Sequence, residues 1–150
     1  MVENILVAVD GSDHGRKAVE FAADLAESYG AKVTLLHVMS SPGSSRVPEE
    51  LEYLGKLEHI RITEQDLLRS AAKEILHEAE NHIGRRAVKE LGATIETGDP
   101  ATEILKFASA NGVDLIMMGS RGLGNLKGLL MGSVSHKVSN LATCTCITVK

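Results

Sequence analysis

Five consecutive apolar residues, Ile5-Leu6-Val7-Ala8-Val9, stop at Asp10-Gly11-Ser12-Asp13, and the apolar spacing then becomes helical. A continuous apolar run of this length predicts a strand buried on both faces, and the polar tetrapeptide reads as a turn into a helix. Ala18, Phe21, Ala22, Leu25, Ala26 and Tyr29 mark the inward face of that helix, with Gly30 as its C-cap signal. The same alternation recurs along the chain. Val33, Leu35, Leu36 and Val38 form a second strand, followed by a turn-rich stretch, Ser40 to Ser45. Leu68, Ala71, Ala72, Ile75, Leu76, Ala79 and Ile83 trace one face of a long helix from Thr63 to about Glu90. A third strand is expected over 92–97, and Asp99-Pro100 starts a helix to about Asn111, with Ile104, Leu105 and Ala108 facing inward. Val113 to Met118 is a fourth buried strand, then come a glycine-rich loop from Gly119 to Gly132, a helix from Ser133 to Leu141 and a last strand near Cys144 to Val149.

The order βαβαβαβαβ with all-apolar strands implies a parallel sheet, because parallel strands need crossover connections and the helices supply them. A three-layer α/β fold made of one domain spanning 1–150 is the expectation. A chain of 150 residues, 43% hydrophobic and 24% charged, buries about 70% of its unfolded surface and needs neither disulfide nor metal to hold its core.

Composition narrows the function. Sixteen basic residues against 20 acidic ones, with four aromatics, offer neither the positive field nor the stacking platforms of a nucleic-acid binder. No apolar run approaches the roughly 20 residues that span a bilayer. The opening MVENILVAVD reads as the first strand and not as a signal peptide, since Glu3 stands where basic residues belong. Cys144 and Cys146, one residue apart on an extended segment, are too close for an ordinary staple and fit a reducing, cytoplasmic setting. A small ligand is the expected partner.

The stretch from Met118 to Ser135 carries the chemistry. Its glycines begin directly after a strand and its end opens a helix, so backbone N–H groups and a helix N-terminus converge where an anion such as phosphate can sit. It is not a Walker A loop, since no Gly-Lys-Ser/Thr triplet closes it, and Lys127 replaces the third glycine of a dinucleotide fingerprint. Ser133 is expected as the N-cap, Ser133 and Ser135 add hydroxyls, and Arg121 and Lys127 could bring charge to phosphates. Long loops of this kind are usually functional.

The other candidates have plainer readings. His77 and His82 miss the zinc-protease spacing by one residue and belong to a solvated helix. His37 reads as a satisfied buried or cleft histidine, and Ser12-Asp13-His14 as a helix cap. Cys144 and Cys146 share a strand face but have no second ligand pair at metal spacing. His136, one turn into the last helix, is kept as the one histidine near the anion site.

Gly119, Gly122, Gly132 and Ser133 stand at the spacing Gly, two residues, Gly, nine residues, Gly, Ser/Thr. With Ile5 to Ser12, Gly98-Asp99-Pro100 and Asp114 to Gly122, the chain resembles the nucleotide-binding universal stress proteins over nearly its whole length. The resemblance implies a five-stranded parallel sheet of order 3-2-1-4-5, adenine nucleotide alpha hydrolase-like, with ATP across the carboxyl ends of strands 1 and 4, where the order creates a topological switch point. It places the backbone of Ala8, Val9 and Val38 along adenine and Asp10 beside adenine and ribose. Met118 joins this nucleotide-binding set, Gly119, Arg121 and Gly122 approach ribose and α-phosphate, and Gly132, Ser133, Val134 and Ser135 hold the outer phosphates. A side chain at Gly132 is expected to occlude phosphate. Mg²⁺ is expected to be held mainly by the phosphates, with no protein metal site and no catalytic residue.

Two positions depart from the family pattern: Ala8 and Thr145 stand where many members have proline. Thr145 restores an N–H, so the last strand, Cys144 to Val149, is expected to pair with a second copy in a homodimer at least as readily. The function implied is an ATP-dependent stress-response switch acting on an unnamed signalling partner, with ATP ordering the Gly119 to Gly132 loop and the Ser40 to Glu50 segment. The alternatives are a slow ATPase or a phosphoryl or nucleotidyl transferase on the same scaffold, or a nucleotide-free dimeric interaction module.

Overall fold

The computed structural model describes residues 1–41, 43, 47–59, 61–124 and 131–150. Its strands are β1 (Asn4–Ala8), β2 (Lys32–Met39), β3 (Glu90–Thr97), β4 (Leu115–Gly119) and β5 (Thr145–Val149), and its helices are α1 (Asp13–Tyr29), α2 (Glu49–Leu57), α3 (Glu64–Ile83), α4 (Pro100–Ala110) and α5 (Ser133–Leu141). The strands form one parallel sheet in the order β3-β2-β1-β4-β5, as the resemblance implied.

Alternation along each strand feeds two cores. Ile5, Val7, Leu35 and Met117 turn toward α1 and α3, whereas Leu6, Leu36, Ile116 and Met118 turn toward α4 and α5. Burying such a side chain contributes roughly 1.5–3 kcal/mol, so the apolar runs of β1 and β4 account for much of the affinity between layers. α1 meets the sheet through Ala18, Val19, Ala22, Ala23 and Ala26, small residues that bring its axis close. That closeness corrects the sequence reading of the helix: Phe21 and Tyr29 do not face the core but lie 45% and 58% exposed at its margin.

The caps were legible. Ser12 accepts from the N–H of Gly15, Thr63 forms a reciprocal box with Asp66, Asp99 accepts from the N–H of Thr102, and Gly30 closes α1 at φ 65°. The expected reach of α3 to Glu90 is too long. It ends at Ile83 because Gly84 leaves helical space at φ 62°, and β3 then begins at Glu90, two residues before its expected start.

α2 is an addition to the sequence reading. Pro48 at its N-cap, Glu49, Glu50 and Glu52 in its first turn and Lys56 in its last are helix signals. Its apolar residues give no inward stripe, since Tyr53, Leu54 and Leu57 are exposed and only Gly55 is buried. Half of the Ser40 to Ser45 turn, at 42, 44 and 45, lies outside the described residues.

Candidate functional site

The strand order reverses at β1, whose neighbours β2 and β4 leave by connections on opposite faces of the sheet. A cleft of about 300 Å³ opens beyond the carboxyl ends of these strands. Its apolar floor is built by Ala8, Leu36, Val38, Ile104 and Met118, and its far wall by the Gly119 to Gly124 backbone and the first turn of α5. All twelve residues singled out from sequence, Ala8, Val9, Asp10, Val38, Met118, Gly119, Arg121, Gly122, Gly132, Ser133, Val134 and Ser135, line this one cleft.

Their polar groups are not equally free. The N–H of Val9 donates to Leu36 O at 2.9 Å, and Val9 O lies 2.8 Å from Nδ1 of His37. A carbonyl only accepts, so Nδ1 of His37 carries the proton, and both main-chain groups of Val9 are engaged within the protein. A base laid against Val9 would meet main-chain groups that already have partners, with the second lone pair of Val9 O left to accept. Val38 is different. Leu36 O faces β1, and Met39 O faces β3 by accepting from Gly98 N at 2.9 Å. Alternation therefore turns the N–H and C=O of Val38 to the β1 side, past the end of that strand, where among the described residues neither has a backbone partner. They form a donor and an acceptor side by side at the edge of the apolar floor.

Asp10 occupies the next step. Its Oδ1 accepts from Ser12 N at 3.0 Å and Ser12 Oγ at 2.5 Å. The Oδ2 edge lies against Gly122, where a Cβ would come within 2.6 Å of it. Gly119 is hemmed in by more atoms: a Cβ there would sit 2.8 Å from Gly15 N and from the carbonyl carbon and Cβ of His14. Arg121 is exposed on the rim, and its carbonyl accepts from Ser12 Oγ at 3.4 Å.

The far wall corrects two expectations. The N-cap of α5 is Gly132 and not Ser133, because Gly132 O already accepts from His136 N at 2.9 Å and Ser133 is the first helical residue. The hydroxyl of Ser135 is 3% exposed and lies within hydrogen-bonding distance of Ser120 O, 2.9 Å, and Gly132 O, 3.0 Å. It braces the wall instead of pointing out of it. A Cβ on Gly132 would be in ordinary contact with Ser120 O at 3.4 Å and with Arg121 Cα and Ser135 Oγ at 3.5 Å.

What the wall does present is main chain. α1, α3 and α4 each have a side-chain cap, but α5 has none, and the N–H groups of Ser133, Val134 and Ser135 in its first turn have no intrahelical acceptor. These donors and the positive end of the helix dipole suit an anion. Lys127, read as a possible charge donor, lies outside the described residues, as do 125–130 in general. His136 is exposed, touches Asn140 at 3.3 Å and does not line the cleft, so the last histidine candidate is not brought to the site.

The frame around the cleft is tied by Asp99, whose Oδ2 accepts from Thr102 N at 3.0 Å, Thr102 Oγ1 at 2.6 Å and Lys137 Nζ at 3.0 Å. The Thr102 hydroxyl first, then Lys137, lowers its pKa from 3.8 to about 2. A depressed carboxylate pKa contributes stability that is complete above its ordinary value and is lost as pH falls through the folded value. The α4–α5 tie is therefore expected to weaken between pH 3.8 and about 2. An NMR titration of the Asp99 carboxyl should find a midpoint near 2, moving upward in Lys137→Ala.

Metal and redox chemistry find no support among the described residues, where no group of three or more His, Cys, Asp or Glu side chains converges. Burial pushes both the Cys144 and Cys146 thiols up, against ionisation. His77 is exposed and His82 rests 3.5 Å from Glu20, as expected of a solvated helix. Among the described residues, no helix is long and apolar enough to cross a membrane.

A family model described as the universal stress protein family matches residues 1–150. Universal stress protein YxiE of Bacillus subtilis is 38% identical over 162 aligned residues, which cover 100% of both chains. Among solved structures, universal stress protein UspA from Lactobacillus plantarum has a TM-score of 0.79 at 26% identity, covering 99% of this chain and 97% of its own. The universal stress protein from Archaeoglobus fulgidus in complex with dAMP has a TM-score of 0.67 at 25% identity, covering 100% of this chain and 98% of its own.

Proposed function

We propose, from the premise that the chain belongs to the universal stress protein family, that it is a single-domain ATP-binding regulator whose bound state, and not rapid turnover, is the signal. One observation carries the reading: a single cleft joins a main-chain donor and acceptor at Val38, without backbone partners among the described residues, to the N-terminus of α5, which has no side-chain cap. The first pair suits the edge of a purine lying on the apolar floor, and the second suits phosphates. Asp10, between them, is placed to accept from ribose hydroxyls. The dAMP complex of the Archaeoglobus relative supports an adenine nucleotide as ligand.

Asp10 is the one carboxylate among the described lining residues. That donor set fits a Mg²⁺ held mainly by phosphates and water, which would neutralise phosphate charge when bound. The regulator is proposed to act in the cytoplasm as a homodimer. Support for the dimer comes from β5, an edge strand that among the described residues pairs with β4 alone; Val149 O faces β4, so alternation turns the main-chain groups of Cys146 and Thr148 to the open edge. The partner that reads the ATP-bound form is a further protein.

The test is direct. Freshly purified protein is heat-denatured, released nucleotide is identified by chromatography and mass spectrometry, and stripped protein is titrated with Mg-ATP. Nucleotide near one per chain is expected, and ATP at a hundred times its Kd should add about 2.7 kcal/mol of stability. No released nucleotide together with no ATP-dependent shift in Tm would leave the cleft structural and transfer the assignment to an interaction module.

A further inference from the structure

One polar contact beside the cleft is unused by the reading above. His14, in the first turn of α1, places Nδ1 3.0 Å from Ser120 Oγ, and neither residue is among those lining the cleft. Ser120 is 2% exposed, and among the described residues His14 is the hydrogen-bond partner of its hydroxyl.

The main chain of Ser120 is equally committed. Its N–H donates to Val149 O at 2.7 Å, at the end of β5, and its carbonyl accepts the N–H of Gly132 at 2.6 Å and the hydroxyl of Ser135 at 2.9 Å. Ser120 is thus the seat on which the N-terminus of α5 rests. It is held from α1 by His14, whose own backbone is packed against Gly119.

We infer that His14 is a positioning residue for the anion end of the cleft, acting through Ser120 on the first turn of α5. The inference rests on the nucleotide reading of that cleft. An array of main-chain donors binds well only while it is held within about half an ångström of its working geometry. Losing the imidazole leaves the buried Ser120 hydroxyl without its partner, and the hydroxyl regains one only by turning or by admitting water. Either response releases the tie from α1 to the residue whose carbonyl seats Gly132 and Ser135. The Val38 edge and the apolar floor lie on β1, β2, β4 and α4 and do not depend on this contact.

The two ends of the ligand should therefore respond differently. In His14→Ala, the Kd for ATP is expected to rise about three- to tenfold, and that for adenosine less than about twofold. His14→Asn, whose amide can reach the position of Nδ1, should restore most of the ATP affinity. Ser120→Ala, which removes the hydroxyl by which His14 holds that seat, gives the same split and serves if His14→Ala does not fold. Titration calorimetry with ATP and with adenosine on stripped protein reads all four proteins. Equal losses for the two ligands, no loss, or no rescue by Asn while the wild type binds ATP would overturn the role of His14 alone. A wild type that binds neither ligand removes the nucleotide reading and this inference with it.

Discussion

Gly119→Ala should cost about 3 kcal/mol of stability and abolish the cleft as it stands. The added Cβ would lie 2.8 Å from Gly15 N and from two carbons of His14. Two of those three atoms are backbone at the start of α1, so no rotamer change relieves the contact. Either β4 or the first turn of α1 must move, and Asp10, Ser12 and Ser120 move with them because Ser12 caps that turn and His14 holds Ser120. For a chain of this size the loss corresponds to roughly 6–12 °C in Tm, measurable by calorimetry. A variant with wild-type Tm would mean that the approach of α1 to β4 is looser than described.

Gly122→Ala should separate binding from stability. Its Cβ would come within 2.6 Å of Asp10 Oδ2, the far end of a side chain that can turn aside, so the fold survives. The carboxylate does not stay where a ribose hydroxyl would meet it. Losing one hydrogen bond to a charged acceptor is worth about 1.5–3 kcal/mol, or roughly ten- to a hundredfold in Kd for ATP. The mechanism predicts non-additivity: in an Asp10→Ala background the same substitution should have little further effect. Full additivity in calorimetric titrations would show that Gly122 acts on the ligand without Asp10.

The architecture was legible where the sequence carries geometry directly. Ile5 to Val9 could only be a doubly covered strand, and Ser12, Thr63, Asp99 and Gly30 mark helix ends because capping needs those residue types. α2 was not legible because its leucines stay exposed and leave no periodic inward stripe. Phe21 and Tyr29 misled because hydrophobic spacing shows a helix face but not how near small residues such as Ala22 bring it to a sheet.

The site divides in the same way. The residues that the resemblance named line one cleft, but neither resemblance nor spacing says which way a polar group is spent. Ser133 and Ser135 look alike in sequence. Only the fold shows that the second hydroxyl is turned inward onto Ser120 O, that Val9 is satisfied by Leu36 and His37, and that Val38 is not. His14 and Ser120 lie 106 positions apart, so their pairing leaves no local signature.

The strand order also sets a timetable. During synthesis, β1, β2 and β3 can pair with one another as soon as residue 97 has left the ribosome, while β4 and α5 are added afterwards on the other flank of β1. The half of the ligand site that Val38 supplies is therefore made early and the half that α5 supplies late. On the proposed nucleotide reading, ATP would find no complete site on the first three strands and would stabilise only a molecule finished past Ser135, as an inspector of folded protein and not a scaffold for its assembly.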